Sequence, residues 1–267
     1  MAVITIFSGP YCHGDEVTRG VVETLGYRPA GEELFKQAAN QYNMSEERLQ
    51  RSLYGSPSLL GRFTTERARA LAYLKATLAH LLQEDGIVLH GFLTHLIPLH
   101  ISNVLRVCLI ANNDYRAKLA METDSLSEEK ALKRIHEEDS KRGEWTRHVR
   151  YHDPYDERLY DMLLAMQSTS VKEAVESISS GVSSETLKRT EETERAIADF
   201  ALAANVEIAL TEKGYDVNVT SDNGNIHIAI QKYTNRLEST KAKLKEIAQQ
   251  IDGVQAVSSS PGTRYTP

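Results

Sequence analysis

Gly9 and Gly14 bracket a loop whose residue types suit anion binding: Gly9, Pro10, Tyr11, Cys12, His13 and Gly14, with Asp15 and Glu16 directly after it. Glycines let a backbone curl until several N–H groups point inward, and a helix starting behind the loop adds the positive end of its dipole. That is the chemistry of a phosphate cradle. In the full pattern a lysine and then a hydroxyl residue follow the second glycine, neutralising the outer phosphates and holding Mg2+. Here those places are taken by Asp15 and Glu16. A carboxylate facing a triphosphate repels it unless a cation lies between, so Glu16, and Asp15 with it, are candidate Mg2+ contacts. The same residues also suit a tight turn into a helix with an acidic first turn, and need no ligand for that.

Elements of the right kind flank the loop. The apolar run 3–7 has the character of a buried strand, and Val17, Val21, Val22 and Leu25 recur at helical spacing. A break follows at 26–29, then short helices at 31–39 and from Ser45, the latter with Glu46 and Glu47 in its first turn. Residues 53–63, rich in Gly, Ser and Pro, are expected as a loop, and a long helix runs on to about Gln83. The runs 87–91, 104–111 and 160–165 are short and apolar, as strands of a buried parallel sheet would be. Alternation of such strands with helices predicts an α/β fold, a parallel sheet with helices on both faces. His90, His95 and His100 lie between two of these strands, but a five-residue spacing does not stack them on one helix turn, which argues against a metal site.

From Asn112 the chain is helical and densely charged. Acids and bases nearly balance between 122 and 150, so one reading is a solvated face laced with i,i+4 pairs. The other is that Arg134, Arg142, Arg147 and Arg150 form a lid that clamps phosphate. Residues 181–193 are polar and suit a linker. After them the pattern changes to α-β-β-α-β, with helices near 194–213 and 235–251, alternating strands at 215–220 and 226–230, a turn at Asn223-Gly224 and a last strand at 254–257.

Composition narrows the function classes. The chain has 267 residues, 41% hydrophobic and 25% charged, ordinary values for a protein able to bury a core. A formal net charge of -6 argues against nucleic-acid binding driven by overall charge. Two cysteines, Cys12 and Cys108, are too few for a disulfide framework and fit a cytoplasmic setting. No run of eighteen apolar residues is present, so no transmembrane segment is expected. A helix N-terminus beside Cys12 would lower its thiol pKa, but a small buried filler is the commoner role for such a residue.

With these residues in view, 1–180 resembles the cytidylate-kinase-like branch of the nucleoside-monophosphate kinases. The likeness rests on the loop 9–14, the strand-to-loop 88–92, the strand 104–111 leading to a helix with Arg116, the lid segment Asp139-Ser-Lys-Arg142, and Asp153-Pro154 ahead of Tyr160-Asp161. The resemblance implies ATP with Mg2+ as phosphoryl donor, CMP or a similar small acceptor, and a lid arginine at the transferring group, carried onto Arg142 and secondarily Arg134. The chain departs from the pattern at Asp15, at Phe92 and at Ile135-His136, each a lost cation or fixed contact. Residues 194–260 resemble a BON domain, which implies binding of a protein, ligand or lipid; 261–267 is a tail. Three readings follow: an active nucleotide kinase, a nucleotide sensor that has lost the chemistry and signals through the BON-like part, and an adaptor that binds no small molecule.

Overall fold

The computed structural model describes residues 2–54 and 62–265. In chain order the elements are β1 (Val3–Ser8), α1 (Gly14–Leu25), β2 (Arg28–Pro29), α2 (Gly31–Tyr42), α3 (Glu46–Tyr54), α4 (Arg62–Leu81), β3 (Ile87–His90), β4 (Val104–Ile110), α5 (Asn113–Asp124), α6 (Glu128–Arg150), β5 (Met162–Ala165) and α7 (Val171–Gly181). They continue with α8 (Glu191–Glu212), β6 (Val217–Asp222), β7 (Asn225–Ile230), α9 (Leu237–Ala248) and β8 (Ala256–Pro261). Contacts gather the chain into two compact units, Met1–Glu32 with Glu84–Arg189, and Glu33–Gln83 with Thr190–Pro267.

The first unit is built on a five-stranded parallel sheet in the order β2-β3-β1-β4-β5. β1 is central and buried along its whole length, which is why its sequence is a continuous apolar run rather than an alternating one. Its even positions, Ile4 and Ile6, pack with Val88, Val107 and Leu109 against Val17 and Val21 of α1 and Ala174, Val175 and Ile178 of α7. Its odd positions face the other way, where Phe7 stacks on Phe92 and His95, and Phe92 stacks on the fully buried Trp145 of α6. The Trp145 indole N–H donates to the Phe92 carbonyl at 2.9 Å, which fixes α6 against this face. α6 itself obeys its end charges, with Glu128 and Glu129 in the first turn and Arg147, His148 and Arg150 in the last.

The break expected at 26–29 contains a short edge strand, β2, paired with Ile87 and Val88. Two residues ending in proline carry no strand periodicity, and an edge is where a strand tolerates proline.

In the second unit, β6-β7-β8 form a sheet whose first pair is antiparallel and second parallel. Asn223 and Gly224 both take positive φ, 50° and 78°, giving the expected two-residue hairpin. Val206, Leu210, Val217, Val219, Ile226, Ile228 and Leu244 fill the core beneath this sheet. α4 packs along α8, and its Lys75 reaches Glu207 of α8 at 2.8 and 2.9 Å. Of the loop expected at 53–63, residues 53–54 belong to the end of α3 and 62–63 to the start of α4, and residues 55–61 lie outside the described residues. No helix among the described residues is long and apolar enough to cross a membrane.

Candidate functional site

The glycine-bracketed loop leaves the C-terminal end of β1, the usual place for ligands in open parallel sheets. Gly9 N–H donates to the Leu109 carbonyl at 2.9 Å, holding the loop's start to β4. A Cβ on Gly9 would stand 3.2 Å from both Cys12 Sγ and the Tyr155 hydroxyl, so the close packing under the loop selects a small residue there. Tyr11 and His13 both adopt left-handed backbone, φ 57° and 56°. Two non-glycine residues in that region within one short loop are costly, and such conformations concentrate at ligand-binding turns. No side chain caps α1, whose first turn carries Gly14, Asp15 and Glu16. Uncapped helix N–H groups at the end of a curled loop are donors in want of an acceptor.

Side chains arrive around this loop from several elements. His13 lies 3.3 Å from Glu16 through Nδ1 and 3.0 Å from the Tyr115 hydroxyl through Nε2. With Nδ1 donating to the Glu16 carboxylate, Nε2 accepts the tyrosine proton. Tyr11 donates to Asp124 Oδ2 at 2.6 Å, and Arg134 donates to the same oxygen at 2.8 Å. Arg142 Nε donates to the Ser8 carbonyl at 2.9 Å, and its Nη1 bonds the carbonyl and carboxylate of Glu138. The guanidinium also lies over the Phe92 ring, 5.5 Å from its centroid. Its Nη2 makes no hydrogen bond among the described residues, so one end of the fork remains available.

The two arginines expected at the phosphoryl group are therefore both brought to the loop, by different routes. Arg142 is half-enclosed and bonded to the residue that precedes Gly9, whereas Arg134 is exposed and linked through Asp124 to Tyr11. Arg147 and Arg150 belong to the far end of α6; Arg150 donates to the Ile97 carbonyl and is not at the loop.

Sequence reasoning left three participants without a role. Arg116 of α5 is 7% exposed and donates to both oxygens of Asp139, at 3.0 and 2.8 Å, while Tyr155 donates to one of them at 2.9 Å. This group sits beneath Gly9 and makes Asp139, the first residue of the lid motif, a buttress for the loop. Burial and the Asp139 carboxylate push the Tyr155 hydroxyl pKa far upward, so it stays a donor. The third is His90, whose Nδ1 lies 3.3 Å from Asp15 Oδ1 and whose Nε2 lies 3.0 Å from Ser8 Oγ. Its sequence grouping with His95 and His100 pointed elsewhere. The structure separates the three: His95 is buried on the opposite face beside Tyr160 and Thr146, and His100 is exposed. The hydrogen bond from His90 holds the Asp15 carboxyl below its usual range.

The reactive reading of Cys12 is corrected. The thiol is 1% exposed, and burial pushes its pKa up to about 11, ahead of the opposing pull of Arg116 and Arg142. Desolvation of the thiolate outweighs the helix end, and Cys12 fills space under the loop. No group of three or more His, Cys, Asp or Glu able to hold a metal occurs among the described residues. Mg2+ carried by a nucleotide draws most of its oxygens from phosphates and water and needs only one or two carboxylates. The Glu16 carboxylate, 53% exposed on the first turn of α1, fits that smaller demand.

The sequence profile of the cytidylate kinase-like family matches residues 3–168. No curated protein matches the chain. Among solved structures, an uncharacterized protein from Eubacterium ventriosum ATCC 27560 is similar over 69% of this chain and 100% of its own, at 15% identity and a TM-score of 0.51, a likeness of fold. A shikimate kinase from Acinetobacter baumannii, solved with shikimate, covers 70% of this chain and 96% of its own, at 11% identity and a TM-score of 0.40.

Proposed function

The chain belongs to the cytidylate kinase-like family, and on that premise we propose that it binds a nucleoside triphosphate on residues 9–16 and transfers the γ-phosphoryl to CMP or a similar small acceptor. The observation that carries the reading is the uncapped N-terminus of α1 behind a strained glycine-bracketed loop, with Arg142 bonded to the carbonyl of Ser8, the residue before that loop. The backbone N–H groups of Tyr11, Cys12, His13 and Gly14 receive the donor phosphates, while Gly9, its own N–H held by the Leu109 carbonyl, and Pro10 fix the loop's entry. An acceptor oxygen attacks the γ-phosphorus, the bond to the β-phosphate oxygen breaks, and the nucleoside diphosphate leaves. Arg142, with Arg134 at the rim, neutralises charge on the transferring group. Mg2+ would be met by Glu16 and supplies charge neutralisation on the phosphates. Residues 194–260, the BON-like part, which pack with residues 33–83 in the second unit, are proposed to bind a protein, ligand or lipid partner.

Asp15 favours a second reading, binding without transfer, because the lysine that ordinarily meets the outer phosphates is gone. A coupled assay with ATP, Mg2+ and each nucleoside monophosphate separates the two. The kinase reading expects CMP-dependent ADP release that falls about 10²–10³-fold in Arg142→Ala. ATP that raises the melting temperature without turnover makes the chain a nucleotide sensor. Absence of both effects refutes nucleotide binding itself.

A further inference from the structure

Arg106 of β4 and Arg150 at the end of α6 line one small pocket on the sheet face that carries Thr5 and Phe7. Arg106 pairs across the sheet with Thr5, three residues before Ser8, so the cationic end of the pocket lies about 10 Å down the strands from the phosphate loop. Phe7, Val107 and Leu159 give it an apolar wall, and Leu99, 43% exposed, stands at its mouth. The enclosed part has room for about one water-sized body.

Both guanidiniums are fastened to one turn of chain. Arg106 Nη1 donates to the Val104 carbonyl at 3.0 Å, and its Nη2 to the Pro98 and Ile101 carbonyls at 2.8 and 3.0 Å. Arg150 Nη2 donates to the Ile97 carbonyl, while its Nε and Nη1 make no hydrogen bond among the described residues. No carboxylate is among the described residues that line the pocket. Asp161 is exposed and meets Arg106 through the backbone, its Oδ2 accepting the Arg106 N–H at 2.8 Å. Burial, and after it the charge of Arg106, pull the Arg150 guanidinium down to about 10. His95, on the same wall, is kept neutral by burial and adds no charge. Two half-buried like charges without a counter-ion are unfavourable, because each is partly desolvated and repels the other.

We propose that this pocket binds chloride, held by the free N–H groups of Arg150 and by the Arg106 guanidinium against the apolar wall. A halide is little larger than water, carries the single negative charge that offsets the repulsion, and accepts N–H donors from any direction. A nucleotide does not fit the enclosed part. The bound ion joins β4, the turn at 97–101 and the last turn of α6, so it ties to the sheet the far end of the helix that carries Arg134 and Arg142. The site does not depend on the nucleotide-binding reading, which places its phosphates on residues 9–16.

The test compares the full chain in sodium chloride and in sodium gluconate at matched ionic strength, gluconate being too large to enter. Melting is followed by the fluorescence of Trp145, the chain's one tryptophan, which lies on α6 in the unit that holds the pocket. Chloride at ten times its dissociation constant raises the folding constant about elevenfold, so a melting temperature about 3–5 °C above that in gluconate is expected. Chlorine NMR reads binding directly, as line broadening that bromide reverses. Arg150→Met keeps an unbranched stem and removes the charge; it should weaken binding about tenfold or more and abolish the difference between the salts. Equal melting temperatures for the unaltered chain in the two salts overturn the proposal. So does a chloride effect that persists in Arg150→Met, since that ion then sits elsewhere, residues 9–16 included. Should Arg150→Met not fold, crystals of the unaltered chain grown in bromide decide. An anomalous peak between the Arg106 and Arg150 guanidiniums upholds the site, and its absence there overturns it.

Discussion

Lys75 and Glu207 form an ion pair inside the second unit whose removal from one side is testable. Lys75 Nζ donates to both Glu207 oxygens at 2.8 and 2.9 Å and to Asn218 Oδ1 at 3.3 Å, and the Val219 N–H donates to Glu207 Oε2 at 3.2 Å. Glu207 is 3% exposed, so Lys75→Met leaves a buried carboxylate with one backbone donor. Breaking a buried pair from one side costs about 3–5 kcal/mol, because the remaining charge is stranded without its partner. The Lys75 side chain is 19% exposed, so water reaches part of the site and the lower end, about 3 kcal/mol, is expected. Adding Glu207→Gln removes the stranded charge, keeps an acceptor for the Val219 N–H, and should return stability to within about 1 kcal/mol of the parent. Urea unfolding followed at 222 nm reads the difference, since α4 and α8 are among the longest helices. A single-variant loss below about 1 kcal/mol, or a double variant no better than Lys75→Met, would refute the reasoning.

Three further outcomes follow from the first unit. Burial holds the His95 pKa down to about 3, so below pH 6.5 the unfolded chain binds a proton that the folded chain refuses, and stability must fall as pH drops from 6.5 toward 3. By pH 4 the loss reaches up to about 3 kcal/mol, and His95→Gln should flatten that acid limb in denaturant titrations across pH. Burial also pushes Cys108 up to about 12, and with Cys12 near 11 neither thiol should react with a disulfide reagent at pH 7.5 until the chain is denatured; fast native-state labelling would contradict the packing. In Gly20→Ala the new Cβ meets Val175 Cγ2 at 2.6 Å, so the overpacking of α1 on α7, about 1–3 kcal/mol, outweighs the helix-propensity gain of about 1 kcal/mol, and the melting temperature falls.

The sequence by itself determined the elements and the loop. Apolar runs, caps and hairpin residues act over a few positions, so the strand–loop–helix at the start, the parallel-sheet pattern and the terminal α-β-β-α-β order were all legible. β2 was not, because two residues and a proline leave no periodic trace and pairing with β3 alone makes them a strand. The tertiary structure decided which charges meet. Asp15 appeared as a repulsive substitution until β3, placed beside β1 by the crossover, delivered His90 to it. Arg116, Asp139 and Tyr155 come from α5, α6 and the segment before β5, and only their convergence under Gly9 turns a lid motif into a loop support. The helices 33–83 gave no sign of belonging with 190–267, yet Lys75 finds Glu207 there. Local patterns encode backbone geometry within a turn or two, whereas the partner of a buried charge is set by register and chain crossing, which exist only once the sheets are assembled.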